Sequence, residues 1–240
     1  MDTIKLEKKQ ARLIAHRGVC GLERENSTAA FLAAATRAYC GIATDVYRTA
    51  DGHLVLLHDG HTGRVGDAAV DVPNATLAEV EAVRLLPIDA DRGAPRRDLV
   101  VPMLADYLSI CHKYDKVAVL EIKSPFTPEG LQQVVDTVRQ YHRLENTIFI
   151  SFIWEYLVEL RRLLPDQPLQ FLTGDGHDKL AELLALHIGL DSYFPGLDRE
   201  LVDALHSAGL PVNCWTVDTL AEAEALVEMG VDFITTDILE

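Results

Sequence analysis

His16-Arg17-Gly18, Glu25-Asn26-Ser27 and His58-Asp59 are the groups in this chain suited to proton transfer and anion binding. Each histidine closes a short apolar run, which puts both side chains at strand ends. A neutral imidazole takes or gives a proton near pH 7, so two across one pocket make an acid and base pair. Arg17 can hold two oxygens of a phosphate at once, and Gly18 lets the backbone approach. Glu25-Asn26, just before a helical pattern, reads as N-cap and pocket wall together.

Two further strands carry charge. Alternation puts Ala43 and Asp45 on one face of the run Ile42-Ala43-Thr44-Asp45-Val46, with Thr44 and Val46 on the other. Glu121 and Lys123 share a face in the same way, after the apolar run Val117-Ala118-Val119-Leu120. Charged groups in a barrel interior are costly unless paired or bound to a metal, which is the physical reason to read them as functional. For Glu121 and Lys123 the competing reading is a purely structural ion pair.

Positioning these residues calls for alternating strands and helices. Short β-rich runs at 13–15, 42–47, 117–122, 148–152, 169–172, 192–194, 212–215 and 233–236 alternate with amphipathic patterns at 27–38, 128–141, 155–164, 179–186, 200–208 and 220–229. Eight such strands in 240 residues predict one α/β domain, a TIM-type (β/α)8 barrel spanning 1–240. About seventy residues separate the second and third of these strands, too many for an ordinary connection. A small insertion after the second strand, at 51–113, is expected there, with a strand at 53–58, a helix near 77–85, a loop at 89–97, and the position of a lid. The chain stops straight after its eighth strand, so the segment before Arg12 is expected to cover that part of the barrel.

This order of motifs resembles the glycerophosphodiester phosphodiesterase family. The resemblance runs from His16 to Asp237 and includes Thr49-Ala50-Asp51-Gly52 and the closing strands around Asn213-Cys214-Trp215-Thr216-Val217. It implies hydrolysis of a glycerophosphodiester to glycerol 3-phosphate and an alcohol. His16 and His58 would be the catalytic acid and base, in an order the sequence leaves open. Mg²⁺ or Ca²⁺ would bridge carboxylates of the set that includes Asp45 and Glu121. Arg17, Glu25, Lys123, Trp215 and Phe152 would bind substrate. The chain departs from the family at Ala43, where a metal-binding Glu usually stands two residues before the aspartate. Losing that carboxylate removes a ligand and a charge, so impaired hydrolysis is expected; the alanine reads either as an engineered substitution, which the intact pattern around it favours, or as a natural departure compensated elsewhere. The alternatives are a glycerophosphodiester-binding barrel without catalysis and a related phosphodiesterase acting on lysophospholipids.

Bulk properties narrow the partners. A formal net charge of −15 opposes nucleic acid and acidic membranes at long range, so an anionic small molecule needs locally placed cations. No apolar run reaches the roughly 18 residues of a membrane span, and residues 1–10 lack the apolar centre of a signal peptide, so no integral membrane contact and a cytoplasmic location are expected. A homodimer is the assembly entertained. Cys20, Cys40, Cys111 and Cys214 show no metal or disulfide spacing and read as buried thiols. Of the remaining histidines only His61, close behind His58-Asp59, is expected near the mouth.

Overall fold

The computed structural model describes residues 2–6, 11–89, 96–123 and 125–240. Eight parallel strands form its centre: β1 (Arg12–Ala15), β2 (Gly41–Arg48), β4 (Val117–Ile122), β5 (Thr147–Ser151), β6 (Leu169–Thr173), β7 (Gly189–Tyr193), β8 (Val212–Trp215) and β9 (Phe233–Thr236). β1 pairs with both β2 and β9, which closes the sheet into a barrel. The ninth strand, β3 (Leu54–Leu56), lies antiparallel on the end of β2. Seven helices pack outside: α1 (Thr28–Ala35), α3 (Leu104–Lys113), α4 (Pro128–Tyr141), α5 (Trp154–Leu163), α6 (Leu180–Leu186), α7 (Arg199–Ser207) and α8 (Leu220–Met229). This is the TIM-type (β/α)8 barrel expected from the sequence.

The period of two along each strand sorts side chains between two cores. Ile42 and Val46 of β2, with Ala118, Leu120 and Ile122 of β4, face the helices. Ala43 and Val119 face inward, packed with Ile14, Ile148, Ile150, Leu172 and Phe233 in the barrel interior. The period of 3.6 supplies the matching helix faces: α4 buries Leu131, Val134, Val135 and Val138 and starts on the Thr127 cap with Pro128 behind it.

α3, which the sequence reading did not pick out, ties the two charged strands together. Tyr107 is fully buried, donates its hydroxyl to the Ile42 carbonyl at 2.6 Å and accepts the Val119 N–H at 3.1 Å. α3 packs between α1 and α4 in the outer ring. The segment between β2 and α3 has a core of its own in which Val55, Leu57, Val65, Val72, Val80, Leu85, Leu99 and Val101 are buried.

Several boundaries differ from expectation. β7 begins at Gly189 and brings in Asp191, because a glycine and an aspartate mask its start. The helix expected near 77–85 is the five-residue α2 (Leu77–Glu81), after which Leu85 pairs with Gly66. Part of the loop expected at 89–97 lies outside the described residues. The cap of α1 is Ser27, whose hydroxyl accepts the Ala30 N–H; Asn26, with φ of 50°, is used elsewhere. Cys111 and Cys214 are buried, whereas Cys20 and Cys40 are partly exposed, and all four are free. At the N-terminus Ile4 pairs with Leu239, and Leu6 is buried against the core, so residues 2–6 do line the end of the chain. No helix among the described residues is long and apolar enough to cross a membrane.

Candidate active site

At the C-terminal ends of the strands lies a cavity of about 270 Å³. Eight of the ten residues singled out from the sequence line it: His16, Arg17, Ala43, Asp45, His58, Glu121, Phe152 and Trp215. Glu25 and Lys123 do not face it, and each instead grips residues that do. A larger cavity, about 490 Å³, opens at the opposite end of the barrel. Its Arg161 is bound to backbone carbonyls, including those of Leu186 and His187, and no acid–base constellation gathers there. That end of a barrel ordinarily serves stability, which makes the smaller cavity the candidate site.

Both histidines are held alike. His16 Nδ1 lies 2.7 Å from Asp237 Oδ1, and His58 Nδ1 lies 2.8 Å from Asp59 Oδ1. Burial would raise the Asp237 carboxyl, but the hydrogen bond and charge of His16 outweigh it and hold the group low; at Asp59, Arg64 and His58 do the same. Ionised carboxylates only accept, so Nδ1 carries the proton in each ring and Nε2 is left for the cavity. Asp59 and Asp237 belong to quoted motifs but were not assigned as orienting groups, since contacts to neighbouring strands decide that. His58 lies beyond β3 rather than on it. Burial pushes its pKa down, and Asp45 only partly opposes this, so it starts neutral near pH 7.

Register creates the carboxylate pair. Asp45 on β2 stands directly beside Glu121 on β4, and the two carboxyl groups hydrogen-bond each other. Lys123 Nζ reaches both, at 3.1 Å to Asp45 and 2.6 Å to Glu121. Asn26 donates to Asp45 Oδ2 at 2.7 Å and accepts from Thr44 at 2.8 Å, which is its task in place of a cap. Burial would raise both acids. At Asp45 the charges of Lys123 and Arg17 prevail and pull it well below the carboxylate range, while at Glu121 the Asp45 charge adds to burial and pushes it up. The pair therefore shares a proton at a site where a dication would relieve the same repulsion. Hard oxygen donors of this kind suit a hard divalent cation such as Mg²⁺ or Ca²⁺. The side chain of Ala43 adds only a methyl group to the cavity wall.

Arg17 sits with φ of 52°, in the left-handed region, and leads into Gly18 with φ of 78°. A Cβ on Gly18 would meet the Ala30 backbone at 2.6 Å, so the glycine is required by close approach to α1 rather than to a ligand. Glu25 accepts from Arg17 Nη1 at 3.0 Å and from Arg64 Nη2 at 2.6 Å, and these cations overcome its burial to keep it ionised. Arg64 also binds Asp59 at 2.6 Å, linking both charged loops. Arg17 Nε is buried, makes no hydrogen bond among the described residues and lies 3.7 Å from Asp45 Oδ2, so the guanidinium also faces the carboxylate pair.

An apolar rim completes the mouth. Trp215 stacks edge-on with Phe152 at 5.8 Å and lies 5.5 Å from Tyr193. Trp154 lies outside this rim: it opens α5 and packs on Phe171. His61 is exposed and does not line the cavity. The floor holds a residue the sequence reading missed. Asp191 is fully buried, its Oδ1 has no partner among the described residues, and burial, only partly opposed by Asn213, pushes its pKa well up. The folded protein thus holds a proton that the unfolded chain releases above the ordinary carboxylate range, so stability falls as pH rises through that region. Asp191→Asn is expected to remove this dependence and to raise stability at pH 8 by about 1 kcal/mol, or roughly 2–4 °C in Tm. Thermal melts from pH 5 to 8 test it; parallel curves for both proteins would refute it.

Oriented imidazoles beside buried cations equip a barrel to hydrolyse an anionic ester, and that is the class of enzyme the fold and cavity define. Comparison with known proteins supplies the family. The sequence description of the glycerophosphoryl diester phosphodiesterase family matches residues 16–240, so the chain belongs to that family of phosphoric diester hydrolases. A glycerophosphodiester phosphodiesterase of Caldanaerobacter subterraneus is 28% identical over 232 residues, covering 94% of this chain and 93% of that protein. One from Bacillus altitudinis is 26% identical over 236 residues, 94% of each. Among solved structures, a glycerophosphodiester phosphodiesterase from Parabacteroides distasonis superposes with a TM-score of 0.78 at 28% identity, covering 96% of this chain and 94% of the other. A phosphodiesterase from Oleispira antarctica, solved in complex with its product sn-glycerol-3-phosphate, gives a TM-score of 0.87 over 97% and 95% of the two chains; at 22% identity that likeness is one of fold.

Proposed function

We propose that this chain hydrolyses glycerophosphodiesters to glycerol 3-phosphate and an alcohol by histidine acid–base catalysis. The observation that carries the reading is the matched pair, His16 with Asp237 and His58 with Asp59, on one cavity with Arg17. An anionic diester repels a nucleophile until its charge is balanced. Arg17 takes one phosphate oxygen, with Lys123 close behind. One histidine, neutral with Nε2 free, accepts the proton of the attacking hydroxyl, and the other, entering as the imidazolium with a second proton on Nε2, gives that proton to the departing alkoxide. Asp45 and Glu121 would hold Mg²⁺, which when bound neutralises phosphate charge as a Lewis acid.

Ala43 is the weak point of the site. It lies on the cavity wall two residues before Asp45, about 6.6 Å along the same strand face. A carboxylate there would strengthen the hold on Mg²⁺, and its lack lowers affinity and turnover. The test is Mg²⁺-dependent release of glycerol 3-phosphate from glycerophosphocholine by this chain and by Ala43→Glu. A gain of about tenfold or more in Mg²⁺ affinity or rate is expected from the added ligand. Equal rates would remove Ala43 as a cause of impairment. Silence from both folded proteins, whatever the headgroup, would leave a binding barrel.

A second reading of substrate follows from the rim, where Phe152 is 50% and Tyr193 45% exposed beside Trp215. Such a rim suits an apolar alcohol, so lysophosphatidylcholine belongs in the same assay. Faster turnover of it than of glycerophosphocholine would make the enzyme a lysophospholipid phosphodiesterase.

A further inference from the structure

His16, Cys20 and Asp237 form a second cluster, apart from the Asp45 and Glu121 pair. A ring nitrogen of His16, Cys20 Sγ and a carboxylate oxygen of Asp237 all lie within 4.8 Å of one another, and no other such group of three occurs among the described residues. Asp237 Oδ1 is 2.7 Å from His16 Nδ1 and 3.0 Å from Cys20 Sγ. In tetrahedral zinc sites the bond lengths place ligand atoms roughly 3.3–3.6 Å apart, so a small outward movement would admit the ion.

The cluster is held together by its backbone. His16 N–H donates to the Thr236 carbonyl at 2.8 Å, and Gly21 N–H donates to the Asp237 carbonyl at 3.0 Å. A Cβ on Gly21 would meet that carbonyl oxygen at 2.8 Å, so only glycine lets the loop bearing Cys20 lie so close. Solvent reaches the site, since the Asp237 side chain is 37% exposed.

We propose that His16, Cys20 and Asp237 bind a borderline-soft divalent cation of the Zn²⁺ class, and that occupation inhibits hydrolysis. A thiolate, an imidazole and a carboxylate select zinc over the hard Mg²⁺ suited to Asp45 and Glu121. The balance of protons gives the inhibition. The Cys20 thiol releases its proton to solvent, and the single ring proton of His16 moves from Nδ1 to Nε2. The metal takes Nδ1 and leaves Nε2 as N–H, so the ring can neither accept a proton there nor give one up without becoming an imidazolate, and either catalytic role is blocked. Burial and the Asp237 charge keep the free thiol protonated, and coordination displaces that proton.

Metal binding stands without the activity proposed above, whereas inhibition rests on it. The first measurement is therefore optical: Co²⁺ titrated into the purified protein, with Cys20→Ala alongside. One equivalent should raise a thiolate-to-Co²⁺ charge-transfer band in the near ultraviolet, bleached by Zn²⁺ and missing in Cys20→Ala. No band, or the same band in the variant, overturns the site whether or not the protein turns over substrate. The second is Zn²⁺ inhibition of the Mg²⁺-supported reaction. Cys20→Ser, which keeps a hydroxyl on Asp237 and basal activity, should need about tenfold more Zn²⁺ or more. Equal sensitivity overturns the inhibitory mechanism.

Discussion

Replacing His16 with alanine is expected to lower kcat/KM for glycerophosphocholine by about 10²- to 10⁴-fold, and His58→Ala by a similar factor, the usual contribution of one positioned acid or base. Both rings present Nε2 to the same cavity with Nδ1 tied to a carboxylate, so neither has a substitute nearby. The variants differ in what rescues them. A p-nitrophenyl phosphodiester leaves without protonation, so the variant lacking the acid should regain most of its rate on that substrate, while the variant lacking the base should not. Steady-state kinetics of both variants on both substrates, in this chain or with Ala43→Glu, makes the assignment. Losses under tenfold for both would remove the histidine pair from the mechanism. Asp59→Asn and Asp237→Asn would act through the rings they orient, and an altered pH profile with folding intact would mark them as positioning residues.

The second large effect concerns stability. Lys123→Met is expected to cost about 3–5 kcal/mol, because it removes the ammonium that balances two buried carboxyl groups and leaves them facing each other. The cost should depend on pH with a definite sign. Without Lys123 both folded-state pKa values rise, so the folded protein binds protons that the unfolded chain releases. Its stability then falls as pH rises above the ordinary carboxylate range of about 4, and the deficit against the parent is smallest in acid. Mg²⁺ should stabilise Lys123→Met more than the parent, since the ion then balances the charge the ammonium carried. Urea unfolding at pH 5 and pH 8, with and without Mg²⁺, measures all three quantities. A loss under 1 kcal/mol with no pH trend would show that Lys123 does not hold the pair together.

Much of this protein was legible in the chain. Two-residue alternation in Ile42-Ala43-Thr44-Asp45-Val46 and in Val119-Leu120-Glu121 put the right side chains inward, because a strand has only two faces and one of them must be apolar toward the helices. Helix periodicity placed α4, α5, α7 and α8, and motif order carried the family. The sequence misled where a local rule competed with a distant contact. Asn26 looks like a cap, yet Ser27 does that work and Asn26 braces Asp45. Gly18 looks like a phosphate-loop residue, yet what demands it is the backbone of α1.

What tertiary structure alone decided is which residues meet. Register between β2 and β4 sets Asp45 beside Glu121, so that two acids of ordinary type come to share a proton. Closure of β9 against β1 carries Asp237 to His16 and Cys20, which are 221 and 217 positions distant in the chain. Asp191 lay in a stretch without clear strand character, and only enclosure by the barrel made its carboxyl neutral. Periodicity fixes the direction of a side chain from its immediate neighbours, and so it is written locally. Charge state and partnership depend on the dielectric and the atoms across the barrel, which exist only once the sheet has closed.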